Sequence, residues 1–430
     1  MATSKELRQQ IQAGVWDEAL RALYGPQEAG LARQRSRYSE ALAEFERYFG
    51  PGRQVQLYSA PGRAELGGNH TDHQHGFGLG AAVELDLVAV ASPSADGYIR
   101  VKSRGFNKLD VIDLTQKGVQ KGEGTHSASL VRGIAEGFQA QGAVLCGLDL
   151  YTTSAVLRGS GLSSSAAFEM GVAAALNGEY RCGFSAAQLA RICQQAENAY
   201  FGKPSGLLDQ LTSAEGGVVF ADFAQPAAPQ VTKLHTQGLL PPEFCLCVTD
   251  TRASHSELTG EFAAIRREME AVAAALGMSA LGQAAEQEVW AQLPQLRRRC
   301  GDRAVLRALH FFEENRRVLD QFHALRQGDF AAFLALVRAS GHASFALCQN
   351  VYCAADPARQ GLSVALALSQ QLLEKTGGAW RMQGGGFAGT IQAFVPRTQL
   401  AQYQAAMEAV FGPGCCHLLH LREQGAVQVL

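Results

Sequence analysis

Residues 158–167 read Arg-Gly-Ser-Gly-Leu-Ser-Ser-Ser-Ala-Ala, between a strand-like run at 148–153 and an alanine-rich helical run at 166–176. No other stretch restricts the fold as tightly. Its glycines let the backbone approach an anion, and the amides and dipole of the following helix favour phosphate at that end. The three Ser hydroxyls are ligands for phosphate or for a metal. The same residues also suit a flexible turn ahead of a capped helix. A Walker A loop is excluded, because Lys203 follows Gly202 but is itself followed by Pro204.

The rest of the chain fits an α/β protein with a large core. It has 430 residues, 47% hydrophobic and 18% charged, long enough for two or three domains. A net charge of −2 leaves no electrostatic footprint for nucleic acid. Ten Cys without a CxxC pair suggest buried free thiols in a reducing compartment. The N-terminus lacks the apolar core of a signal peptide, and no window approaches 18 uninterrupted apolar residues. A cytoplasmic chain with no membrane span is the expectation.

Helical periodicity runs over 4–48 and stops at Gly50-Pro51. Strands are predicted at 54–59, 83–91, 98–103, 217–222, 244–249 and 390–395. Helices are predicted at 126–140, 257–274 and 398–410, with several more between 284 and 375. Ser185 is the expected N-cap of a helix reaching Phe201, with Gly202 and Pro204 as its stop.

Two further motifs carry chemistry. Residues 60–76, Ala-Pro-Gly-Arg-Ala-Glu-Leu-Gly-Gly-Asn-His-Thr-Asp-His-Gln-His-Gly, gather Arg63, His70, Asp72, His73 and His75 in a glycine-punctuated stretch. Such donors and acceptors suit a hydroxyl-rich ligand. A metal site from the three His and Asp72, or a solvated loop, are alternative readings. Residues 382–390, Met-Gln-Gly-Gly-Gly-Phe-Ala-Gly-Thr, formally contain GxGxxG. A strand rather than a helix follows, against a Rossmann unit, and a tight turn packed on another backbone is the better local reading.

In order and spacing, these segments resemble the three motifs of the GHMP kinases, most closely the galactokinases: APGRxxLxGxHTD, GxGLSSSA and RMxGGGFxG. Supporting stretches lie at 193–198, 206–210, 250–256, 266–267 and 307–310. The resemblance implies an α/β (α+β) two-domain fold, an N-terminal domain like domain 2 of ribosomal S5 and a ferredoxin-like C-terminal domain. The expected divisions are a helical extension at 1–35, then 36–213 and 214–430. The implied activity is transfer of the ATP γ-phosphate to the anomeric hydroxyl of galactose or a close relative, with Mg²⁺. The implied catalytic pair is Asp209 with Arg63. Gly159, Ser160, Gly161, Leu162, Ser163, Ser164, Ser165 and Ala166 would wrap the nucleotide phosphates. Ser165 and Glu197 would hold the metal. Asn69, His70, Asp72, Gly206, Asp209 and Phe262 would contact sugar. The implied partner is a small-molecule sugar, with no nucleic acid or membrane, in a monomer or weak oligomer.

The sequence departs from galactokinases on the sugar side. They carry Glu at the position of Asn69, usually Tyr at His73, a sugar-contacting Tyr at Phe262 and Pro at Leu157. His70-Thr-Asp-His-Gln is similar to a segment of galacturonate kinases, so a sugar altered at C6 is one alternative. A non-catalytic sugar sensor is another.

Overall fold

A computed structural model describes residues 2–157, 159–253 and 259–429. Arg158, the 254–256 part of the resemblance and the first two residues of the helix predicted at 257–274 lie outside them. Among the described residues the chain forms a nine-stranded and a four-stranded sheet.

At the centre of the larger sheet, Gln54–Gly67 pairs antiparallel with Phe77–Pro93. The strand predicted at 54–59 therefore runs on through the first motif as far as Gly67. The register skips between Pro61 and Arg63, and again between Glu65 and Gly67. Such irregularities bend a strand and re-aim its side chains. Arg63 and Glu65, two residues apart, project from one face. Phe77–Pro93 is buried on both faces: Leu87, Ala89 and Ala91 join one core cluster and Val88 and Val90 another. That two-sided burial explains its nearly continuous apolar sequence.

The first cluster lies beneath the helices Ser127–Ala140, Ser164–Glu179, Ala186–Ala196 and Leu208–Glu215. The second is roofed by three N-terminal helices, Ser4–Gln12, Asp17–Tyr24 and Glu28–Phe49, through Leu7, Ile11, Leu20, Leu42 and Phe45. Polar links add to this roof. The Tyr24 hydroxyl donates to Asp86 at 2.6 Å, and Arg37 Nη1 pairs with the same carboxylate at 2.5 Å. Asp86 also takes Arg422 Nη1 at 3.2 Å, which ties in the C-terminal tail. The N-terminal helices are thus built into the core.

Two strands beyond residue 213, Val218–Asp222 and Gln230–Leu234, also belong to the larger sheet. The chain then enters the smaller sheet, ordered Ala379–Gln383, Thr390–Pro396, Phe244–Asp250, Cys416–Leu419. Its first strand, covering the start of the third motif, was missed by sequence periodicity because all five residues are buried and no alternation shows.

The helix Phe330–Ala343, continued by a wide turn at Ser344–Cys348, is long and apolar enough to cross a membrane. Here a Cβ on Gly341 would sit 3.0 Å from the Trp380 carbonyl, so this helix lies directly on the smaller sheet. The helix expected to reach Phe201 ends at Ala196, and Glu197–Phe201 forms a π turn closed by Gly202 at φ 81°. Its start matches expectation: Ser185 and Gln188 form a reciprocal capping box.

Candidate active site

The three motifs meet backbone to backbone. A Cβ on Gly62 would lie 2.8 Å from the Leu162 carbonyl, and one on Gly161 would lie 2.8 Å from the Gln383 carbonyl. Only glycine permits both approaches, and Gly161 is also left-handed at φ 65°. The Arg63 amide donates to the Leu162 carbonyl at 3.0 Å, and Gln383 Nε2 donates to the Gly161 carbonyl at 3.0 Å. The Thr390 hydroxyl donates to the Ser160 carbonyl.

Asp209, in the first turn of Leu208–Glu215, faces this junction. Arg63 donates to its Oδ1 from Nε at 2.7 Å and from Nη2 at 2.5 Å. Arg63 Nη1 meanwhile donates to the Gly161 carbonyl at 2.7 Å. The Ser163 hydroxyl donates to Asp209 Oδ2. Burial pushes the Asp209 carboxyl upward, but Arg63, the Ser163 hydroxyl and Lys203 together hold it below its ordinary value. It is an ionised, acceptor-only group at neutral pH.

Ser163 occupies the N-cap position of Ser164–Glu179 at φ 56°, yet makes no side-chain cap bond to that helix. Its hydroxyl is spent on Asp209. The first-turn amides of Ser164, Ser165 and Ala166 therefore keep their donors for an anion. Ser160 is buried, with its hydroxyl on the Leu157 carbonyl at 2.7 Å. It shapes the loop from inside.

Asp72 lies beside the pair. Burial and the charge of Asp209 push its carboxyl up to about 6. A Cβ on Gly206 would fall 1.5 Å from Asp72 Oδ2, so Gly206 is what allows that carboxylate into the site. His70 donates from Nε2 to the Gly385 carbonyl at 3.0 Å, and burial lowers it to about 4. Burial, then His70, holds His73 well below its ordinary value. Both imidazoles are neutral at neutral pH. Among the described residues, no group of three His, Cys, Asp or Glu is placed to hold a metal. The Phe262 ring lies against Gly385, where a Cβ would meet it at 2.5 Å, and packs edge-on to Phe387.

Asn69, expected among the sugar contacts, is bonded by protein groups through its whole side chain. It is 1% exposed. Its amide nitrogen donates to Glu65 Oε1 at 3.1 Å and to the Gly384 carbonyl at 2.6 Å, while its oxygen accepts from Asn350 Nδ2 at 2.6 Å. Its backbone carbonyl takes His310 Nε2 at 3.1 Å. Every polar group of its side chain is spent on protein, fastening the first motif to the third.

Sequence reasoning missed the carboxylate at this spot, Glu65. It pairs with Arg381 Nη2 at 3.1 Å and lies 3.9 Å from Arg63 Nη2. Burial raises it above its ordinary value despite both guanidiniums. Strand alternation from Arg63 would have found it, had residues 60–67 been read as a strand.

Behind the loop, Glu197 is 2% exposed. Its Oε1 pairs with Lys203 Nζ at 2.7 Å and its Oε2 accepts from Gln210 Nε2 at 3.0 Å. The same Gln210 amide donates to Glu169 Oε2 at 3.0 Å, and Glu169 Oε1 is buried without a partner. Burial and the charge of Glu197 push Glu169 well up. Lys203 and Glu169 were also missed; neither lies in a recognisable pattern.

Residues 129–217 match the GHMP kinases N terminal domain, and residues 43–93 match the galactokinase galactose-binding signature. The galactokinase of Streptomyces coelicolor is 34% identical over 361 residues, covering 83% of this chain and 88% of that protein. That of Glaesserella parasuis is 29% identical over 83% of this chain and 89% of its own length. The structure of Lactococcus lactis galactokinase complexed with galactose has a TM-score of 0.76 at 22% identity, covering 90% of this chain and 98% of that one. The Methanococcus jannaschii mevalonate kinase has the same fold more distantly, with a TM-score of 0.60 at 14% identity and coverages of 86% and 99%.

Proposed function

The chain belongs to the galactokinases within the GHMP kinases, and from that premise we propose that Asp209, Arg63 and the 159–166 loop carry phosphoryl transfer from ATP to the C1 hydroxyl of galactose or a close relative. It is an ATP-dependent sugar kinase with the two-domain GHMP fold. The observation that carries the site reading is the Arg63–Asp209–Ser163 junction at the N-terminus of Ser164–Glu179. A half-buried acceptor held ionised stands beside uncapped helix amides, so a hydroxyl proton and a phosphate charge are received side by side.

In this reading Asp209 orients the sugar hydroxyl and accepts its proton as the bond to phosphorus forms. Arg63 keeps Asp209 ionised and steadies the loop through the Gly161 carbonyl. The amides of Ser164, Ser165 and Ala166 receive phosphate oxygens. Asp72, His70 and the Gly206 backbone line the sugar side. Phe262 contributes an apolar wall.

The residues fit a hard divalent cation such as Mg²⁺. Glu197 Oε1 already holds a cationic group, and a second carboxylate oxygen, on Glu169, is buried with no partner. Glu197 with the Ser165 hydroxyl would hold it. The metal would neutralise charge on the transferring phosphate.

A C6 carboxylate on the sugar is disfavoured. Glu65, Asp72 and Asp209 already place three carboxylates around Arg63, and the Asn69 side chain is bonded to Glu65, Gly384 and Asn350. Product NMR after turnover of galactose and Mg·ATP tests the reaction: phosphate is expected on C1. Asp209→Asn is expected to lower kcat by about 10²–10⁴ with little change in ATP affinity. Near-wild-type kcat in that variant would remove Asp209 from the mechanism.

A further inference from the structure

Lys203 does not fit a purely structural salt bridge. Its backbone amide donates to the Glu197 carbonyl at 3.1 Å, which fixes its Cα at the end of the π turn. Its side chain is 53% exposed, while its ammonium reaches back to Glu197 Oε1 at 2.7 Å. π turns of this kind recur at functional sites. The ammonium contacts Glu197, and the carboxyl groups of Glu169 and Asp209, on two other helices, also interact with its charge. Against them stand one amide, Gln210, and the guanidinium of Arg63, which is already committed to Asp209 and Gly161. The lysine head therefore supplies the positive charge at Glu197, within reach of the electrostatics of Asp209, which takes the Ser163 hydroxyl of the phosphate loop. A long, half-exposed stem on a fixed Cα lets that head move several ångströms without disturbing the fold.

We propose that Lys203 is an internal cation standing in for the divalent metal at Glu197 in the nucleotide-free enzyme, and that it transfers its ammonium to nucleotide phosphate oxygens when metal and nucleotide enter together. This rests on the reading of Glu197 as the metal ligand. A carboxylate that waits for a metal in a buried site is costly to leave unpaired. The lysine removes that cost in the empty enzyme and obliges free metal to compete for the carboxylate. The same charge then assists phosphate binding.

The two consequences have opposite signs, which separates this role from a structural one. With Mn²⁺ as probe and no nucleotide present, Lys203→Met is expected to bind metal about tenfold more tightly than wild type, since a positive charge adjoining the site is gone. The same variant is expected to raise KM for ATP severalfold. Lys203→Arg, which keeps the charge, should remain near wild type in Mn²⁺ affinity. Glu197→Gln/Lys203→Met should lose the gain. Paramagnetic resonance of free Mn²⁺ reads the first quantity without reference to turnover. Equal Mn²⁺ affinities in wild type and Lys203→Met, with Glu197→Gln weakened, would overturn the lysine's role and leave Glu197 as ligand. A gain that persists in the double variant would place the metal elsewhere and overturn both. A gain in metal affinity with unchanged KM for ATP would also overturn the proposal, because the lysine would then do nothing for the nucleotide.

Discussion

Replacing Asn69 by Asp alters one buried atom and tests how the first and third motifs are held together. The Asn69 amide nitrogen has Glu65 Oε1 at 3.1 Å and the Gly384 carbonyl at 2.6 Å. An oxygen in its place has two acceptors facing it and no proton to offer. Two carboxylate charges about 4 Å apart at an effective dielectric near 20 repel by about 4 kcal/mol. Arg381 and Arg63 offset part of this, so a net loss of about 2–4 kcal/mol is expected. In a chain of 430 residues, whose unfolding entropy is about 0.9 kcal/mol/K, that corresponds to a Tm lower by roughly 2–4 °C. The pH dependence follows from the same pair. Two carboxylates in contact raise one of their pKa values, so the native state binds a proton that the unfolded state has released. Stability is then retained at acid pH and lost as pH rises through the raised value. The deficit should be small near pH 5 and full near pH 8, by thermal melts of both proteins at both values. Adding Glu65→Gln removes the opposed charge and restores a donor, so the double variant should recover much of the loss. A pH-independent deficit, or no recovery in the double variant, would refute the reasoning.

Asp72→Asn should abolish or sharply reduce turnover yet stabilise the fold above pH 7. Its carboxyl is raised to about 6, so the native state loses stability as pH climbs through that value, by up to about 3 kcal/mol; a lower Tm than wild type at pH 8 would contradict this. Gly206→Ala puts a Cβ 1.5 Å from Asp72 Oδ2, and is expected to raise sugar KM at least about tenfold, with ATP KM nearly unchanged; equal sugar KM values would show that Asp72 does not line the sugar site. Deleting residues 2–26 removes Leu7, Ile11, Leu20 and the Tyr24 hydroxyl from Asp86. Thermal melts should show a markedly lower Tm, and residual folded enzyme should keep its sugar and ATP KM values; an unchanged Tm would show that these helices do not stabilise the sheet.

What the sequence discloses of this molecule depends on how far apart the cooperating residues lie along the chain. Ser185 caps a helix through Gln188, three residues away, and both are legible in a string of letters. Gly50 stops a helix by its own conformation, φ 92°. Arg63 and Asp209 are 146 positions apart, Asn69 and Asn350 are 281, and Asn69 and Gly384 are 315. No local pattern couples such residues, so the Arg63–Asp209 pair proposed for catalysis was reached only through resemblance to a family. Where the chain departs from that family, resemblance gave a position without an orientation. Asn69 stood at a sugar-facing position by resemblance, yet its amide geometry binds protein on every side. Asn can donate and accept at once, so a buried Asn is able to bridge Glu65, a glycine carbonyl and Asn350, where a carboxylate could accept only. The side chain that departs from the family therefore suits the joint between two motifs, and the charge near that joint is carried by Glu65, one strand alternation from Arg63. Substitutions at the joint should accordingly act on loop position and stability before they act on which sugar is chosen.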